Sequence, residues 1–106
     1  MLHEKRINSL LGLAQRAGKM VSGEDTVERE LLKNKILLLI VAADSSENTR
    51  KKVGNWANHY QIELFYFSTR DGLGKAIGKE WRAVIGIKDR GFSKELRKLF
   101  DEGLKE

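Results

Sequence analysis

Eight apolar residues in unbroken succession, Ile36 to Ala43 (Ile-Leu-Leu-Leu-Ile-Val-Ala-Ala), constrain this chain more than any other feature. A strand with one wet face alternates apolar and polar residues, so a run without alternation fits a strand covered on both faces, as in a parallel sheet. The run is far too short to cross a bilayer, which takes about 20 residues. It predicts a central strand. Ligands of open α/β sheets bind beyond the carboxyl ends of such strands, which directs attention to the turn Asp44-Ser45-Ser46.

The flanking segments alternate between helical and extended patterns. Apolar residues at Ile7, Leu10, Leu11, Ala14 and Ala17 predict a helix from Lys5 to Ala17, closed by Gly18 in the left-handed conformation. Met20 to Ser22 reads as extended. Asp25 followed by Glu28 has the form of a capping box and predicts a second helix to Lys33, with Val27, Leu31 and Leu32 inward. Past the central strand, Asp44, Ser45 and Ser46 are N-cap types for a third helix, whose buried stripe is Val53, Trp56, Ala57 and Tyr60. A strand from Glu63 to Phe67 follows, with its three aromatics straddling both faces of a buried strand. Ser68, Thr69 and Asp71 then cap a short helix closed by Gly78. A strand from Arg82 to Ile87 comes next, and Ser93 opens a last helix with Leu96, Leu99 and Phe100 inward. Strands alternating with helices at this spacing predict an α/β layered fold: a small, mixed, largely parallel sheet between helices, in one domain over residues 1–106.

The chemistry available is narrow. There is no cysteine, so no disulfide, thiolate metal site or thiol nucleophile exists. His3 and His59 lack metal-ligand spacing, and no metal or cofactor is expected. Gly72-Leu73-Gly74-Lys75-Ala76-Ile77-Gly78 fails a dinucleotide fingerprint at Ile77 and a phosphate loop at Thr69 and Ala76. Asp44 to Ser46 have no local histidine and no strained elbow, so capping explains them and no enzyme is predicted. Met1 to Ser9 lacks a signal-peptide pattern, which predicts a cytoplasmic protein with no membrane partner.

Charge points to a polyanion. Twenty Lys and Arg against fifteen Asp and Glu give +5 and a pI of about 9.6. The excess is spread over both halves of the chain, so the fold must assemble any basic patch from separate loops. Arg16, Lys19, Arg29, Lys33, Lys79 and Arg82 flank predicted turns and form the candidate rim. Trp81 sits in a predicted turn; packing against the sheet edge is the favoured reading over stacking on an unpaired base.

Five segments in fixed order carry a resemblance: Leu10 to Lys19 (Leu-Leu-Gly-Leu-Ala-Gln-Arg-Ala-Gly-Lys), Ser22 to Asp25, Leu37 to Thr49, Leu73 to Lys79, and Asp89 to Phe92. Together they resemble the bacterial YlxQ-type branch of the kink-turn-binding ribosomal-protein superfamily, along almost the whole chain. The resemblance implies a three-layer α-β-α sandwich that binds structured RNA in a ribosome or translation context, without enzymatic activity. The usual target of that superfamily is a kink-turn with tandem sheared G·A pairs and an extruded base. By motif it implies a site at Gly23, Glu24, Asp25, Thr26 and Arg29, at Ser46, and at Lys79, Arg82, Ala83, Val84 and Ile85. The best-known members carry Asn-Glu where this chain has Asp25-Thr26. Asp25 keeps an acceptor but loses the amide donor. That departure motivates an alternative, a protein-interaction module of the translation machinery that keeps the fold without kink-turn recognition.

Overall fold

The computed structural model describes residues 2–104. In chain order the elements are α1 (Leu2–Arg16), β1 (Met20–Ser22), α2 (Glu24–Leu32), β2 (Leu38–Val41), α3 (Glu47–Tyr60), β3 (Glu63–Tyr66), α4 (Arg70–Ala76), β4 (Val84–Ile87) and α5 (Arg90–Leu104). The strands form one sheet in the order β1-β4-β2-β3.

β2 is central, as its composition requires, and its two faces feed two cores. Leu38, Ile40 and Ala42 pack with Ile7, Leu11 and Ala14 of α1, Leu73 of α4, and Leu96 and Phe100 of α5. Leu39 and Val41 pack with Val27 and Leu31 of α2 and with Val53 and Trp56 of α3. The result is the expected α-β-α sandwich, with α1, α4 and α5 on one face and α2 and α3 on the other. Each fully buried leucine here contributes about 1.5–3 kcal/mol by leaving water.

The sheet is mixed but not largely parallel. β2 and β3 are parallel, whereas β4 runs antiparallel to both β1 and β2. Absence of alternation reports that helices cover both faces of β2; it carries no information on the direction of its neighbours. β3 is an edge strand, so Tyr66 is exposed while Phe65 and Phe67 pack on Phe100.

Three local expectations also change. Leu32 points to solvent, because the buried stripe of α2 runs through Val27 and Leu31. α5 starts three residues before Ser93: Asp89 accepts from the backbone N–H of Phe92, and the Ser93 hydroxyl is buried with no partner among the described residues. The capping box at Asp25 is absent, for a reason that belongs to the site.

The registers Val41↔Val84, Val41↔Tyr66 and Ser22↔Ile85 set one edge of the sheet. At that edge lie the turns after β1, β2 and β3 and the segment entering β4. Among the described residues, no helix is long and apolar enough to cross a membrane.

Candidate nucleic-acid interface

One wall of the site is the start of α2. Gly23 has φ 91° and ψ 145°, a left-handed-side conformation that favours glycine, and its N–H donates to the Val84 carbonyl at 2.9 Å. That bond fastens the turn to β4 and fixes Gly23 as N-cap, two residues before Asp25. The first helical bond then runs from Val27 N–H to the Gly23 carbonyl at 3.0 Å. No side chain caps α2. The positive end of its dipole is therefore left without a capping oxygen beside exposed Asp25.

The facing wall is Trp81, Arg82 and Ala83. Arg82 donates from Nε to Ser22 Oγ at 2.9 Å and from Nη1 to the Trp81 carbonyl at 2.7 Å, so its guanidinium is oriented across the end of β1. Trp81 is 49% exposed, and the Arg70 guanidinium stands 5.3 Å from its ring centroid. Arg70 is itself held by Asp44, whose Oδ1 accepts from the Arg70 backbone N–H at 2.8 Å and lies 3.5 Å from its Nε. Beneath, Gly74 of α4 meets the Glu80–Trp81 backbone. A Cβ at Gly74 would lie 2.6 Å from Trp81 N, a separation only glycine permits. Between the walls is a groove of about 300 Å³ lined by Ser22, Gly23 to Thr26, and Trp81 to Ala83.

Ser46 acts one step removed. It is the N-cap of α3, accepting from Thr49 N–H at 3.1 Å; its hydroxyl donates to Thr49 Oγ1 at 3.0 Å, which in turn donates to the Glu24 carboxylate at 3.4 Å. Lys52 Nζ lies 3.2 Å from the other Glu24 oxygen. A lysine thus offsets the negative charge on this rim.

The fold brings together Gly23, Glu24, Asp25, Thr26, Arg82 and Ala83, with Ser46 linked through Glu24. Arg29 is exposed further along α2, outside the groove lining. Lys79 is exposed in the turn after Gly78, its N–H bonded to the Gly74 carbonyl at 2.7 Å. Val84 and Ile85 are fully buried with their side chains in the two cores, and Val84 reaches the site only through its carbonyl, which accepts from Gly23 N–H. Arg16, Lys19 and Lys33 are not brought to the groove. Lys19 precedes β1, where its carbonyl accepts from Lys88 N–H beyond the far end of β4, and Lys33 caps the far end of α2. Trp81 and Ser22 line the groove although neither was named as a site residue, and Arg70, which stands over the Trp81 ring outside the lining, was missed as well. Trp81 is half-exposed with the Arg70 guanidinium over its ring rather than packed into the sheet edge, and its place between polar residues was the signal for that exposure.

Residues 5–97 match the family model for the ribosomal protein L7Ae/L30e/S12e/Gadd45 family. The chain belongs to this family. Within it, the chain is 44% identical over 92 residues to the RNA-binding protein YlxQ of Bacillus subtilis strain 168, spanning 87% of this chain and 92% of that one. A protein of unknown function from Bacillus halodurans C superposes with a TM-score of 0.86 at 41% identity, over 91% of this chain and 97% of the other. The 15.5kD RNA binding protein of Giardia lamblia superposes with a TM-score of 0.77 at only 12% identity, over 96% and 88%. This chain and the two superposed structures thus share one fold.

Proposed function

We propose that residues 1–106 act as a single, non-enzymatic domain that binds structured RNA in a ribosome or translation context. The observation that carries this reading is the groove between the α2 start and Trp81–Ala83. It joins an uncapped helix start, able to approach a backbone phosphate closely, to a half-exposed indole and an oriented guanidinium. Membership of the L7Ae family and 44% identity to a protein named for RNA binding support it.

Gly23 to Thr26 and Trp81 to Ala83 make the contacts, Lys52 and Ser46 hold Glu24 in place, and Arg29 and Lys79 add charge at the rim. The target is an internal loop with unpaired bases, of the kink-turn kind, read by a modified code. Asp25 accepts from guanine N–H groups, and Thr26 supplies a hydroxyl. The test is binding to a kink-turn RNA with its G·A pairs intact and with those pairs replaced by Watson-Crick pairs. Affinity is expected to drop on replacement. Equal binding of both would reduce the reading to general RNA binding, and binding of neither would remove it.

A further inference from the structure

The edge of the sheet opposite the groove carries its own surface. Lys88 N–H donates to the Lys19 carbonyl at 2.8 Å and Leu37 N–H to the Ile87 carbonyl at 2.8 Å, so the ends of β1, β4 and β2 align there. The end of α2 lies on one side, turned by Asn34 at φ 56°. Two leucines are left in water: Leu32 is 70% exposed and Leu37 41%. Beside them Leu31, Asn34, Ile36, Leu37, Tyr60, Gln61 and Ile62 enclose a recess of about 250 Å³, room for one large apolar side chain.

The acidic charges on this edge are paired or offset, and basic charge is left in excess. Lys19, Lys33 and Lys35 are exposed and Lys88 is half-buried. Glu30 is shared between Lys33 at 3.5 Å and Lys88 at 2.8 Å, and Glu63 is paired with Arg97. Exposed Glu28 and Arg29, one turn back on α2, offset each other. Lys19 and Lys35 have no ion-pair partner among the described residues.

We propose that this edge docks an acidic segment of a partner protein, which seats one apolar side chain in the recess and sets its carboxylates on Lys33, Lys35 and Lys19. Charge complementarity selects an acidic occupant, and the leucines decide its class. A phosphodiester backbone gains nothing from Leu32 and Leu37, and neither offers the flat π-face on which a base stacks. An apolar anchor ringed by carboxylates satisfies both. Because the groove lies at the opposite edge, the chain would hold RNA and protein at once.

The test titrates the full-length, isotope-labelled chain with four probes, followed by NMR. These are a short synthetic Asp/Glu-rich peptide bearing one Leu and one Phe, the same peptide with Ser at both apolar positions, the same peptide with Lys for Asp and Glu, and oligouridine. The first probe should shift the signals of 32–37 and 60–62, and the Ser and Lys versions should bind about tenfold more weakly or less. Leu37→Ser and the double charge reversal Lys33→Glu with Lys35→Glu should each weaken the first probe by about tenfold. Both changes lie on exposed side chains, and an unaltered Tm identifies a folded variant. Trp81→Ala should leave this binding unchanged. The proposal is overturned if the first probe fails to bind, if it shifts residues elsewhere, or if oligouridine shifts 32–37 with equal or higher affinity.

Discussion

Arg70 and Trp81 form a two-layer stack at the rim of the groove, with the guanidinium carbon 5.3 Å from the indole centroid and Asp44 holding Arg70 by backbone and side chain. One indole face is therefore occupied, and the rest of a half-exposed ring borders the groove. A cation beneath an aromatic fixes its orientation and leaves it ready to accept a base on the other side. Trp81→Ala should lower RNA affinity by roughly tenfold to a hundredfold, the size of one lost base stack. Trp81→Phe should recover part of it. Quenching of indole fluorescence on titration with RNA provides a direct readout in the parent chain, and filter binding serves for the variants.

Gly74 sets how close α4 comes to that segment. A Cβ there would stand 2.6 Å from Trp81 N and 2.8 Å from the Glu80 carbonyl, both backbone atoms that cannot rotate away. Gly74→Ala should cost about 1–3 kcal/mol by overpacking and displace the Trp81 segment, lowering both Tm and RNA affinity. Gly54 in α3 supplies the contrast, since a Cβ there meets nothing within 4 Å. Gly54→Ala should stabilise by about 0.5–1 kcal/mol, as helix propensity dictates. Thermal melts of the two variants should move in opposite directions.

The features legible in the sequence were those fixed by short-range chemistry. Gly18 and Gly78 adopt positive φ at 70° and 75°, and Ser46 and Thr69 cap α3 and α4 through their hydroxyls. The unreadable features depend on partners far along the chain. Asp25 and Glu28 spell a capping box, but the bond from Gly23 to Val84 starts the helix earlier. The direction of β4 is set by its pairing with β1 and β2, which the apolar run of β2 does not encode. Arg16, Lys19 and Lys33 all flank turns, yet Lys19 leads into β1 and Lys33 ends α2 at the edge opposite Gly23, where β1 ends and α2 begins. Charge at a turn identifies exposure; only the topology says which exposed charges share a surface.

That separation of edges has a measurable consequence in salt. Each phosphate neutralised adds about 0.7 to 0.9 to the slope of log affinity against log salt. Arg29→Ala, on the α2 face beyond the groove lining, should weaken RNA binding and lower that slope by about one, while the domain stays folded. Lys19→Ala and Lys33→Ala should leave both the affinity and the slope unchanged. RNA titrations over a range of salt concentrations distinguish the two groups, and a slope change in Lys33→Ala equal to that in Arg29→Ala would place both edges on the RNA.

Glu30 gives the fold a pH dependence of predictable sign. Lys88 Nζ lies 2.8 Å from one of its oxygens and Lys33 Nζ 3.5 Å from the other. The hydrogen bond from Lys88 pulls the Glu30 pKa below its ordinary 4.5; partial desolvation opposes this, and the charges of Lys88 and Lys33 add to the lowering. A carboxyl with a lower pKa in the folded state binds its proton less tightly there than in the unfolded chain. Its contribution to stability is therefore complete above the unfolded value near 4.5 and fades as pH falls through the folded value. Glu30→Gln removes the charge but keeps the shape, so it should lower Tm at neutral pH and approach the parent as the pH drops below that window. Melts across the acid range check this: a gap between parent and variant that stays constant with pH would assign the loss to packing rather than to the shared carboxylate.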